Sequence, residues 1–213
     1  MGKDKDEKKK KKKQKEQEYI QRWEGFLQKI TDRTEEILAE AEQGFRGMIA
    51  AGIDDAIPFG NAMQALKGRV IDLHGKIEDV WSEQIFDNVN SSKGTDYCQS
   101  LMEEKRLSLT ERWETFSCYW SAEAMRSIWP HVQASMAKPV NCSQCGAELQ
   151  RNVMHRPDTV TCASCGSVNQ IAPEMIVGTY YAMAPHAFAE EQALPLRHAI
   201  ERFRHEVELD RRQ

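Results

Sequence analysis

Cys142-Ser143-Gln144-Cys145-Gly146 returns twenty residues later as Cys162-Ala163-Ser164-Cys165-Gly166. Two Cys-x-x-Cys-Gly knuckles separated by a 16-residue arm carry the ligand set and spacing of a four-cysteine structural zinc site. Each knuckle turns its two thiolates toward one point. The glycine after the second cysteine accepts a positive φ and lets backbone N–H groups face sulfur. Ala147–Arg151 and Val160–Thr161 are expected as short strands, with a turn at Arg156-Pro157-Asp158. A small metal-centred β unit is therefore predicted over Val140–Ala172, with Cys142, Cys145, Cys162 and Cys165 as its ligands.

The paired knuckles resemble those of the four-cysteine zinc ribbon, whose knuckles are rubredoxin-like, over residues 140–172 only. Rubredoxin-like proteins hold iron, so iron is the competing metal; the structural ribbons that this one resembles imply zinc. A redox disulfide pair and a regulatory thiol switch are the remaining readings of the same cysteines. Four thiolates fill a tetrahedral zinc and leave no position for water, so the expected role is structural.

Outward from the knuckles the sequence changes to helical periodicity. Upstream, Ile20, Trp23, Leu27, Ile30, Ile37, Ala41, Phe45 and Met48 recur at steps of three and four, with Thr34 filling one place. A helix is expected from about Gln14 to Ala51, with Gly52 as its C-cap and Pro58 opening the next. The second segment, 58–89, repeats the pattern with Met63, Leu66, Val70, Leu73, Ile77 and Val80. Gly68 and Gly75 are seven apart in it and are read as a close approach of a neighbouring helix. Asn88–Thr95 is a loop with Ser92 or Thr95 as cap.

The third segment, 96–137, places Leu101, Leu109, Trp113, Phe116 and Trp120 on one side, then Met125, Trp129, Val132 and Met136. Pro130 is expected to kink it. Past the knuckles, Met175, Ile176, Tyr180, Met183, Phe188, Leu194, Ile200, Phe203 and Val207 are expected on the buried side of a last segment. Pro185 and Pro195 are expected to break or bend that segment. Helices of about 32–42 residues would be about 48–63 Å long. The fold class is thus mainly α: an elongated antiparallel helical bundle with a small β zinc ribbon inserted before the last helical segment. Its parts are a Lys-rich tail 1–15, long helices 16–138, the ribbon 139–172 and a C-terminal helical segment 173–213.

Composition bounds the rest. At 40% hydrophobic and 29% charged, the 213-residue chain is an ordinary soluble composition. It has no apolar run of 18 residues to span a membrane and no secretory h-region. Committing four of six cysteines to thiolates suits a reducing, cytoplasmic setting. Residues 1–15 carry nine lysines against Asp4, Asp6 and Glu7, a net of +6. On a chain of net −4 this leaves −10 for the remainder. The tail is expected to be solvated, disordered or an extension of the first helix, with polyanion contact (nucleic acid or anionic lipid) as its alternative role.

Familiar catalytic patterns are missing from the sequence. No Glu lies three residues before any of the six histidines, which excludes the carboxylate di-iron motif. There is no Walker loop, Gly-x-Gly-x-x-Gly, Gly-x-Ser-x-Gly or His-Glu-x-x-His. Cys98 and Cys118 would lie about 30 Å apart on one helix and cannot pair; Cys118 is read as a small buried hydrophobe. His74 is read as a satisfied or exposed histidine. His186 with Glu190, and Glu201 with His205, are i,i+4 neighbours read as surface pairs, with a second metal site as the alternative. Trp113, Phe116 and Trp120 are core, or a docking face if the monomer cannot cover them.

The expected function is a non-enzymatic helical scaffold with a structural zinc ribbon, acting through protein–protein contacts or self-association. The alternative is a transcription-linked regulator contacting RNA polymerase or nucleic acid. The element order, a helical hairpin, then Cys142/Cys145 and Cys162/Cys165, then a last helix, resembles the DksA/TraR regulators of bacterial RNA polymerase. That family carries acidic residues at its hairpin tip, where Asn88–Thr95 has none. The ribbon itself is nearly neutral, with Arg151 and Arg156 against Glu148 and Asp158.

Overall fold

The computed structural model describes residues 2–52, 56–89, 91–150 and 155–212. Asp54, Asp55, Asn90 and Arg151 lie outside the described residues. Helices α1 (Gly2–Ala51), α2 (Ala56–Val80) and α3 (Ser92–Met136) precede four short strands. These are β1 (Val140–Asn141), β2 (Glu148–Leu149), β3 (Asp158–Thr161) and β4 (Val168–Ile171), and α4 (Met175–Arg212) follows them. The fold is mainly α, with its small β part before the last helix, as the heptads and knuckles predict. No described helix is long and apolar enough to cross a membrane.

The chain forms two compact units, Met1–Gln43 with Met63–Phe116 and Pro195–Gln213, and Gly44–Ala62 with Ser117–Leu194. In the first unit the predicted stripe of α1 is buried at Trp23, Leu27, Ile30, Thr34 and Ile37. Trp23, Leu27 and Ile30 pack with Ile77 of α2 and with Cys98, Met102 and Leu109 of α3. Polar cross-links set the directions. Thr34 meets His74 at 3.2 Å and Glu40 meets Arg69 at 3.8 Å, so α2 runs antiparallel to α1. Tyr97 donates to Glu24 at 2.6 Å and Arg112 to Glu35 at 2.8 Å, so α3 runs parallel to α1. His198 meets Glu114 and Arg202 meets Glu111, which sets the end of α4 antiparallel to α3.

In the second unit Phe45 packs on Phe59 and Trp120, with ring centroids 4.6 and 5.8 Å apart. Trp129 lies on Tyr180 at 4.9 Å, and Arg126 joins Glu191. Ala122, Ala124, Met125, Ile128 and Val132 of α3 are buried, as are Val177, Ala184 and Leu194 of α4.

Several local expectations change. The first helix extends back through the lysine run to Gly2, so the tail continues α1. Gly52 does end that helix, at φ +87°, with its N–H donated to Ile49 O at 3.1 Å. Gly68 and Gly75 admit no close neighbour: a Cβ at either would meet nothing within 4 Å. They sit about 200° round the helix from Leu66 and Leu73, on its far side.

The cap of α3 is Ser91 rather than Ser92 or Thr95. Its Oγ accepts the N–H of Gly94 at 3.0 Å, and Thr95 Oγ1 instead donates to carbonyls. Before it, Trp81–Ile85 form a π-helical turn that the periodicity did not signal. The wider turn keeps buried Ile85 and Val89 on the side of Ile77.

Pro130, Pro185 and Pro195 all lie inside uninterrupted helices. Each proline deletes one rung of the backbone ladder. Buried Ile128 and Val132 flank Pro130, while Ala184 and Leu194 are the buried residues immediately before Pro185 and Pro195.

The buried side of α4 is only partly the apolar one expected: Leu194 is buried and Ile176, Tyr180, Phe188 and Val207 are half-buried. Met175, Met183, Ile200 and Phe203 are exposed. The face turned inward in the first unit is polar, carrying His198 and Arg202 to α3 carboxylates. An apolar-stripe reading has no means of finding an inward face made of ion pairs.

Candidate metal centre

β1 pairs antiparallel with β2, matching Val140 to Leu149, and β3 with β4, matching Val160 to Asn169. Each hairpin carries one knuckle at its turn. The two turns are built alike. Gly146 N–H reaches Cys142 O at 3.0 Å and Gly166 N–H reaches Cys162 O at 2.9 Å. Cys142 N–H reaches Ala147 O at 2.7 Å and Cys162 N–H reaches Ser167 O at 2.8 Å. Gly146 and Gly166 have φ of +76° and +74°, a conformation that costs an L side chain about 1 kcal/mol or more. The twenty-residue echo is thus a structural repeat. Strands β1 and β4 and the start of β3 at Asp158 exceed the expected strands.

The hairpins bring Cys142, Cys145, Cys162 and Cys165 together, with all four sulfurs within 4.8 Å of one another. Across the knuckles, Cys142 and Cys165 are 3.6 Å apart and Cys145 and Cys162 3.7 Å apart. Those separations suit four thiolates around one tetrahedral ion with bonds of about 2.3 Å. Cys142 and Cys162 are buried and Cys145 and Cys165 exposed. Leu149 and Ile171 close a small apolar core behind the buried pair, with Val140, Ala147 and Val160 around it.

The surrounding donors favour thiolate. Cys142 is lowered to about 5 by the Ser167 hydroxyl, then by the amides of Cys145 and Gln144. Ser167 lowers Cys165 as well. Cys145 goes the other way, to about 12. The Ala147 amide alone would lower it, but Cys165, burial, Cys162 and Cys142 together outweigh that amide. A dication at the centre would hold all four as thiolates.

Two residues that the cysteine spacing did not single out support the centre. Ser167 Oγ lies 3.0 Å from Cys142 Sγ and 3.1 Å from Cys165 Sγ. Buried Asn169 spans the two hairpins. Its Nδ2 donates to Cys142 Sγ, and its Oδ1 accepts the N–H and Oγ–H of Ser143, both at 3.0 Å. Their signal was the echo itself. Ser167 and Asn169 stand where the first knuckle has Ala147 and Leu149.

The remaining candidates are not drawn into the centre. Cys98 is buried, and its thiol is pushed up to about 11 by burial, then by Glu24 and Glu16. Both effects disfavour the thiolate that a metal or an electrophile would need. Cys118 is half-buried rather than buried. His205 Nε2 is buried without a hydrogen-bond partner.

No known protein family matches the chain, and neither does any curated protein or solved structure. The resemblance to DksA/TraR regulators therefore rests on element order alone, and the ribbon reading on the cysteines and their geometry.

Proposed function

We propose that the chain is a non-enzymatic helical interaction protein, and that Cys142, Cys145, Cys162 and Cys165 hold a structural zinc. The convergence of four sulfurs within 4.8 Å, with Ser167 and Asn169 behind them, supports the metal assignment. Zinc would cross-link two hairpins of two to four residues a strand, which are too short to stand alone in water. All four ligands come from the chain, so the ion has structural work and no free position for substrate. The scaffold reading draws on the four helices and on apolar side chains left facing outward on α4.

Elemental analysis of the purified protein should give one zinc per chain; iron, or well under one metal per chain, overturns the assignment. The role is tested by affinity capture from source cells using the intact chain and a form lacking residues 1–15. A stoichiometric protein partner retained by both supports the scaffold reading. RNA polymerase subunits in its place would move the protein to the transcription-linked reading. Loss of capture with the tail, restored by no salt condition, would assign the contact to the lysines.

A further inference from the structure

The last turns of α4 are amphipathic in the reverse sense. His198 and Arg202 face α3, where Glu114 accepts from His198 at 2.9 Å and Glu111 from Arg202 Nε at 2.7 Å. On the opposite side Leu196, Ile200 and Phe203 are 67, 43 and 65% exposed. With half-buried Val207 they step by four, three and four, the spacing of a two-stranded coiled-coil seam.

From this spacing we infer that the α4 face Leu196–Ile200–Phe203–Val207 pairs in parallel with the same face of a second copy of this chain. The inference rests on the interaction-protein reading and names its partner. Flanking charge favours a second copy in parallel, with the apolar seam ending at Val207 before Asp210. In a parallel pair the residue before a seam position faces the residue five further on in the other strand. Glu206 then meets Arg211 of the second copy, and symmetry repeats the pair; both residues are exposed on the seam's flanks. Burying the seam removes apolar surface that a monomer leaves in water.

Light scattering after gel filtration, on the full chain with zinc, reads the association. The chain should double in mass between about 10 and 200 µM. Phe203→Ser, at an exposed position, should leave the circular dichroism intact and the chain monomeric. Glu206→Arg and Arg211→Glu should each weaken association about fivefold or more, and the doubly exchanged chain should return to near wild type. A wild-type monomer across that range overturns the inference, as does a dimer indifferent to Phe203→Ser. Failure of the exchange to restore association overturns it too. A monomer that still captures a stoichiometric protein partner would overturn self-pairing while leaving the interaction-protein reading standing.

Discussion

Asn169 Nδ2 donates to Cys142 Sγ at 3.6 Å, so a side chain on the second hairpin holds a ligand of the first. Its other end accepts two hydrogen bonds from Ser143, which fixes the amide's orientation. Groups that orient metal ligands typically contribute about 10–100-fold in affinity. Asn169→Leu is therefore expected to leave four thiolates in place and weaken zinc by about that factor. Competition with a chromogenic chelator measures it. Unchanged affinity would mean that the cysteines alone define the site.

Gly94 is where α1 and the start of α3 come together. A Cβ there would lie 2.5 Å from Glu16 Oε1, 2.8 Å from Val89 Cγ1 and 2.9 Å from Ser91 Oγ. Glu16 can swing aside; buried Val89 cannot. Gly94→Ala should thus destabilise by about 1–2 kcal/mol, since overpacking outweighs the helix propensity gained. Denaturant unfolding reads this directly, and a more stable variant would contradict the close approach.

The knuckles were legible because metal ligation demands fixed residue types at fixed spacing. Trp23, Leu27 and Ile30 were legible because burial on one side of a helix imposes its period on the sequence. What escaped reading follows from the same physics. Ser167 and Asn169 act through hydrogen bonds to sulfur, which many polar side chains could make. The π turn at Trp81–Ile85 inserts one residue into a ladder without changing composition. Along α4 the inward side is secured by Glu111 and Glu114 on a different helix. Phe203 and Ile200 therefore look like core in one dimension and face outward in three.

His74 carries a pH dependence. Its Nε2 lies 3.2 Å from Thr34 Oγ1, and burial lowers its pKa below the ordinary histidine value. The unfolded chain then binds the proton more readily than the folded one, so folding stability rises with pH through that window. The contribution is full above about 6.5 and is lost as pH falls through the folded pKa. Subtracting the stability of His74→Gln from that of wild type at each pH isolates it. A flat difference would place the histidine in water, and one that grows as pH falls would mean that the fold stabilises the imidazolium.

Glu111 is buried on α3 and accepts from two nitrogens of Arg202, whose own side chain is 62% exposed. The pair is asymmetric, because one partner has left water and the other has not. Removing the arginine strands a desolvated carboxylate, whereas removing both leaves no charge to compensate. Arg202→Leu is expected to cost about 1–3 kcal/mol, the lower part of that range applying where water reaches Glu111 through the vacated space. The double variant Glu111→Leu with Arg202→Leu should recover much of the loss, since two apolar side chains can pack where the ion pair stood. High salt should weaken the wild-type contribution only in part, because screening reaches the exposed guanidinium and not the buried carboxylate. Thermal unfolding of the three chains at low and high salt separates these terms. A double variant no more stable than Arg202→Leu alone would show that the end of α4 is held by something other than this pair.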